Sequence, residues 1–164
     1  MLRGIDPLLN AELLGVLRAM GHGDDLIVVD TNFPAAAIAP RTVHGRVLRV
    51  DRTAAEALRA IVSVMPVDDF VEDATARMEV VGEPGTILPV MDEVQAVLEA
   101  AVRADGGTPK PMIGVERFAF YERAKRAYAV VQTQERRFYG CFAVRKGVVP
   151  PAEGNASPPE GGAS

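Results

Sequence analysis

The hydrophobic pattern of the first half of the chain predicts helices that alternate with short strands. Apolar positions 13, 14, 17 and 20 follow Asn10, a suitable N-cap, at helical spacing, and Gly21 is placed to end that helix. The continuous apolar run 26–29 is rich in β-branched residues and predicts a buried strand. The segment 32–41 carries two prolines and is interpreted as a loop, whereas residues 43–50 alternate loosely and predict a second strand.

The second half continues the alternation. Thr53 and Glu56 form a capping-box signature that begins a helix, and the apolar residues between 91 and 102 recur as in an amphipathic helix. A fourth helix is predicted over "ERFAFYERAKRA", and strands are predicted at 77–81, 112–115, 128–133 and 141–145. Helices interleaved with strands indicate an α/β fold, a single domain with a central β-sheet sandwiched between helices.

Composition bounds the domain and its partners. The chain has 164 residues, of which 48% are apolar, and we predict one domain over 1–150 and a disordered Pro/Gly/Ser-rich tail over 151–164. A net charge of -4 gives no basic footprint for nucleic acid, and no apolar run approaches a membrane span of about 18 residues. Cys141 is the only cysteine, so no intrachain disulfide can form, and we predict a cytoplasmic protein.

Candidate chemistry begins in "MGHGDDLIVVDTNFPA", residues 20–35. His22 lies between two glycines, and Asp30 follows a buried strand at the end where α/β sheets place ligand crevices. Histidine moves protons near neutral pH, so His22 and Asp30 could share a pocket as proton carrier and hydroxyl clamp. The structural alternative is that both residues only cap local turns. A metal site built from His22, Asp24 and Asp30 is a further alternative, although no metal-binding motif spacing occurs.

A second cluster lies in "RFAFYERA". Arg117 and Tyr121 stand four residues apart, on one face of the predicted helix, and a guanidinium fork with a phenol suits the binding of several hydroxyls. The alternative is that Tyr121 packs in the core and Arg117 is solvated. Tyr139, just before a glycine and a strand, is a third possible contact, whereas Cys141 has the setting of a small core residue rather than of a nucleophile.

Taken together, "GIDPLL", "MGHGDDLIVVDTNFPA", "RFAFYERAKRAYAVV", "YG" and "RKGVVP" resemble the fucose mutarotase / ribose pyranase family, and the fucose branch most. The resemblance runs from residue 1 to about 150. It implies a central sheet between helices and a ring-shaped homo-oligomer, a pentamer or a decamer of two stacked pentamers. It also implies a cofactor-free and metal-free isomerase that interconverts the anomers of a free monosaccharide, most of all L-fucose.

The resemblance also assigns functional positions. These are His22, Asp30, Arg117, Tyr121, Tyr139, Gly140 and Cys141. It implies that His22 is an acid–base group, with Tyr121 or Tyr139 handling the second proton. Asp30, Arg117 and the segment 139–141 would bind the sugar. Relatives carry asparagine where this chain has Cys141, so a side-chain amide contact is lost there. The alternatives are pyranose–furanose interconversion, a non-catalytic sugar-binding subunit and a metal-dependent hydrolase.

Overall fold

A computed structural model describes residues 2–151, so all but the first residue of the predicted tail lies outside the described residues. The helices are α1 (Ala11–Ala19), α2 (Ala35–Ile38), α3 (Ala54–Val62), α4 (Pro89–Ala104) and α5 (Arg117–Lys125), with a 3-10 turn at Ala39–Arg41. The strands are β1 (Asp25–Val29), β2 (Val47–Val50), β3 (Thr75–Met78), β4 (Ile113–Val115), β5 (Ala129–Thr133) and β6 (Phe142–Arg145).

All six strands form one mixed sheet in the order β2-β5-β1-β6-β3-β4. β1 lies inside the sheet, parallel to β5 and antiparallel to β6, and Val28 pairs with Val131 on one side and Phe142 on the other. This central position explains the continuous apolar run of β1, because both of its faces are covered.

Alternate residues of the strands enter two separate cores. Leu26 and Val28 pack with α1, α3 and α4 on one face of the sheet. Ile27 and Val29 pack with α2 and α5 on the other face. The period of two along a strand therefore divides the apolar residues between two helical layers. The predicted α/β fold with a sheet sandwiched between helices is confirmed.

Three local predictions were wrong. The second strand begins at Val47 rather than at 43. The segment 32–41 is not a loop, since it holds α2 and the 3-10 turn. Its prolines precede or occupy first turns, where a missing N–H leaves no intrahelical bond unmade. The third strand ends at Met78 rather than at 81, because the chain turns back and Val80 bridges to Glu83.

Candidate functional site

Asp30 is a buried carboxylate at the carboxyl end of β1, and its side chain is held by three backbone donors. Only 4% of the residue is exposed. Its Oδ1 accepts hydrogen bonds from the amides of Asn32 (2.9 Å) and Phe33 (3.0 Å), and its Oδ2 accepts one from the amide of Gly140 (3.2 Å). The first two bonds form a local turn, whereas the third comes from the segment before β6. The carboxylate therefore joins two distant parts of the chain.

A cavity of about 370 Å³ opens beside this carboxylate. Its lining residues are Asp30, Asn32, Phe33, Met78, Arg117, Tyr121, Phe138, Tyr139 and Cys141. Polar groups and apolar side chains thus share one concave surface, as in small-molecule sites. Five of the residues singled out from the sequence lie in this wall, although they come from β1, α5 and the connection into β6.

Arg117 and Tyr121 lie on one face of α5, as predicted. The Arg117 Nε donates to the Tyr121 hydroxyl at 3.1 Å, and the guanidinium carbon lies 5.7 Å from the centre of the Tyr121 ring. The Tyr121 ring packs edge-to-face on Phe33 at 5.4 Å. The hydrogen bond to Tyr121 raises the pKa of Arg117, so the guanidinium remains positively charged. The terminal nitrogens of Arg117 make no hydrogen bond within the described residues 2–151, and they are free to bind a ligand.

Tyr139 lies on the other side of the cavity, and the buried Gly140 follows it behind the wall. Tyr139 has φ of 61°, the left-handed region that non-glycine residues rarely adopt. Its hydroxyl oxygen accepts from the amide of Val81 at 3.1 Å, which leaves the hydroxyl proton available as a donor. At Gly140, a Cβ would lie 2.7 Å from the Cγ of Glu135 and 3.3 Å from the Cβ of Asp30. Only glycine lets the backbone approach Asp30 this closely.

Cys141 contributes a neutral thiol to the cavity wall. The residue is 2% exposed, and burial, with the nearby Asp30 carboxylate as a second cause, raises the pKa of the thiol well above its usual range. A protonated thiol is a poor nucleophile, which agrees with the interpretation of Cys141 as a small packing residue.

Sequence reasoning missed three charged residues behind the segment that carries Tyr139. Glu135 is 2% exposed and binds Arg137, and Arg137 also binds Glu93 of α4. The hydrogen bonds from Arg137 lower the pKa of Glu135 to about 2. Glu93 is 44 positions from Arg137 along the chain, so no local pattern could have indicated this contact. The segment "QERRFYG" carries no such signal, because a run of charged residues is typical of a solvated turn.

His22 lies away from the cavity within one chain. It comes before the first residue of β1, whereas Asp30 follows the last, and five strand residues span about 16 Å. The His22 Nε2 is 3.3 Å from Oδ2 of the buried Asp68, and the ring packs edge-to-face on Phe70 at 5.8 Å. The His22 side chain is 48% exposed. The described chain therefore does not bring His22 and Asp30 into one pocket.

The metal alternative gains no support from this geometry. Asp24 accepts from the amide of Gly21 at 2.7 Å and so serves a local turn, and Asp30 lies at the far end of β1. Across residues 2–151, no three side chains of the metal-binding types are grouped closely enough to hold an ion.

In the same part of the chain, no helix is both long and apolar enough to cross a bilayer.

The fold and the cavity define a class, a three-layer α/β domain with a cavity at the carboxyl end of β1. Residues 3–149 match the model of the RbsD / FucU transport protein family, and the chain belongs to that family.

The chain is similar to proteins named as mutarotases over nearly its whole length. It is 44% identical over 152 residues to an L-fucose mutarotase of Actinobacillus pleuropneumoniae, covering 92% of this chain and 99% of the relative. It is 41% identical over 159 residues to a fucose mutarotase of Danio rerio, covering 93% of this chain and 97% of that relative. The structure of the fucose mutarotase from Streptococcus pneumoniae in complex with L-fucose superposes with a TM-score of 0.74 at 32% identity, covering 91% of this chain and 100% of that one.

Proposed function

We propose that this protein is a sugar mutarotase that interconverts the α and β anomers of a free monosaccharide, most of all L-fucose. One observation carries the proposal: the cavity gathers a buried carboxylate, a guanidinium with free terminal nitrogens and two phenols from separate elements. The relatives named fucose mutarotase and L-fucose mutarotase support this substrate, because their sequences match nearly the whole chain.

Ring opening requires two proton transfers, ring closure reverses them, and neither step involves a redox change. The anomeric hydroxyl loses its proton, the C1–O5 bond breaks, and the ring oxygen gains a proton to give the open-chain aldehyde. After rotation about the C1–C2 bond, O5 attacks the other face of the carbonyl and the two protons return. Positioned acid–base groups accelerate such steps by about 10²–10⁴-fold, so the chemistry requires neither a metal nor a cofactor.

The cavity residues divide into clamps and proton carriers. Asp30 accepts hydrogen bonds from sugar hydroxyls while three amides fix its orientation. The terminal nitrogens of Arg117 donate hydrogen bonds to other hydroxyls of the sugar. Tyr139 accepts from Val81 and retains its own proton, so it can donate to a sugar oxygen, and Tyr121 is placed to act in the same way. Cys141 lines the wall next to Asp30, and the amide of Gly140 holds the Asp30 carboxylate in place.

We further propose that His22 completes the site of a neighbouring copy in a ring. His22 is exposed at one end of β1, and the cavity opens at the other, so a head-to-tail contact between copies could bring the two together. Large exposed apolar side chains occur at both places. Phe70 (66% exposed) lies beside His22, Phe138 (73%) lines the cavity, and Phe118 (66%) contacts the cavity residue Tyr121. Apolar patches of this kind mark interaction surfaces. A ring of five, or two stacked rings of five, follows the family resemblance.

Subunit mixing tests this function and the shared site together. His22→Ala and Arg117→Ala proteins are each measured by NMR exchange spectroscopy on L-fucose, and then unfolded together and refolded as a mixture. We expect each variant alone to be impaired. The mixture should recover about one quarter of wild-type exchange, because random assembly pairs an intact His22 with an intact Arg117 at that fraction of contacts.

His44→Ala is the matched control, because His44 lies at Glu12, away from the cavity, and the variant should keep wild-type exchange. A mixture no more active than the variants alone would contradict the shared site. Sugar binding without faster exchange in the wild-type protein would instead identify a non-catalytic binding subunit. The cytoplasmic location inferred from the composition stays a prediction.

A further inference from the structure

We propose that Arg137 is a positioning residue that fixes the cavity segment 138–140 through two ion pairs, with Glu135 and with Glu93. The proposal rests on the mutarotase function for its kinetic readout. Arg137 is absent from the cavity wall, so it acts through the residues that follow it.

The inner ion pair holds a buried charge. Glu135 Oε1 accepts from the amide and the Nε of Arg137 at 3.0 and 2.9 Å, and its Oε2 accepts from Nη2 at 2.8 Å and from the amide of Ala54 at 3.4 Å. Ala54 is the first residue of α3, where backbone N–H groups lack intrahelical partners. The buried carboxylate is therefore fully hydrogen-bonded, and it ties the segment to the start of α3.

The outer ion pair fixes the guanidinium from the opposite side. Nη1 and Nη2 of Arg137 donate to Oε1 and Oε2 of Glu93 at 2.8 and 2.9 Å, a bidentate arrangement. Glu93 belongs to α4, the longest helix in the described part of the chain. The pair of Glu135 and Arg137 thus links the connection between β5 and β6 to two helices of one layer, to α3 through Glu135 and to α4 through Arg137.

The geometry of the cavity depends on this anchoring. Tyr139 is two residues beyond Arg137 and holds φ of 61°, a conformation that persists only where the surroundings enforce it. The Cγ of Glu135 fills the space next to Gly140, whose amide donates to Asp30. If Glu135 moves, Gly140 loses its packing partner, and Tyr139 can relax away from the cavity.

The kinetic test compares Arg137→Met with Arg136→Met. Arg136 is the exposed neighbour, and its side chain makes no hydrogen bond or ion pair within residues 2–151. We expect Arg137→Met to lower kcat for L-fucose exchange by about tenfold or more and to change KM by less than about threefold. Misplaced groups weaken the binding of the transition state more than the binding of the substrate. Arg136→Met should match the wild type. Wild-type kcat in Arg137→Met would overturn the proposal.

A double variant separates positioning from general damage. If Arg137 acts through Tyr139, the variant Arg137→Met with Tyr139→Phe should be no slower than Tyr139→Phe alone. Rate losses that multiply would contradict the proposal. Glu93→Gln is a milder change, because it keeps the buried pair of Glu135 and Arg137. We expect its kcat to lie between those of the wild type and Arg137→Met, and its stability to urea to equal that of Arg136→Met.

A readout independent of activity distinguishes this proposal from the proposed function. Amide hydrogen exchange at Gly140, followed by NMR, should be faster in Arg137→Met and Glu93→Gln than in Arg136→Met, while the amide of Leu26 in β1 stays protected in all three. Unchanged protection of Gly140 would overturn the positioning role even in an active enzyme. Should the wild-type protein fail to accelerate sugar exchange, the function fails, and the Gly140 measurement still decides the role of Arg137.

Discussion

Replacing Asp30 with asparagine removes the buried negative charge in the cavity wall. The carboxylate accepts from three backbone amides, and asparagine has a single acceptor oxygen, so in either orientation an N–H group faces the new NH₂ group. Leaving a buried donor unsatisfied costs about 1–3 kcal/mol, and the remaining bonds lose their charge assistance. We therefore expect the free energy of unfolding to fall by about 2–4 kcal/mol, or about 5–15 °C in Tm for a chain of this size.

Urea unfolding followed by circular dichroism at fixed protein concentration measures this loss. Asp51→Asn is the matched control, because Asp51 is exposed and its carboxylate accepts no hydrogen bond within residues 2–151. The control should stay within about 0.5 kcal/mol of the wild type. An Asp30→Asn protein as stable as the control would refute the reasoning, since it would show that the three amides do not depend on the charged acceptor.

Four further expectations follow from the same contacts. Arg117→Ala should weaken L-fucose binding by about 1–3 kcal/mol in titration calorimetry, because it removes a charged donor to the sugar hydroxyls, and unchanged affinity would exclude the clamp. The pKa of Glu135 is lowered to about 2, so its contribution is complete above about pH 4.5 and is lost as the pH falls towards 2. The wild type should then lose about 3 kcal/mol more than Glu135→Gln across that range in acid titrations followed by urea unfolding. Gly140→Ala should lose sugar binding in calorimetry, because its Cβ would meet Glu135 at 2.7 Å. Truncation after Pro150 should keep assembly in light scattering and sugar exchange in NMR, because residues 151–164 carry few apolar side chains, and loss of either would contradict the predicted tail.

Local pattern was enough for the elements whose signals are local. The Asn10 side chain accepts from the amide of Leu13 as an N-cap does, and Thr53 with Glu56 forms the predicted capping box. The helix α2 within the segment 32–41 was missed because two prolines in a short segment usually indicate a loop, although proline is compatible with first turns. The end of β3 was misplaced because a turn back to Glu83 has no distinct signal in an apolar run.

The candidate site was predictable only in part, and the limit is physical. Asp30 could be placed at a strand end, and Arg117 with Tyr121 on one helical face, because these statements depend on near neighbours along the chain. The contact of Gly140 with Asp30 depends on β6 pairing beside β1, more than a hundred residues away. The distance of His22 from Asp30 follows from the length of β1, and the strand predicted over 26–29 already implied that separation.

Exchange spectroscopy on L-fucose with the wild-type protein tests the central claim most directly. In buffer with a metal chelator, magnetisation transfer between the anomeric signals of the α and β forms is recorded at increasing protein concentrations. The proposed mutarotase predicts an exchange rate that rises in proportion to the protein and is unaffected by the chelator. An exchange rate that stays at its value in buffer, while the same samples bind L-fucose in calorimetry, would contradict it.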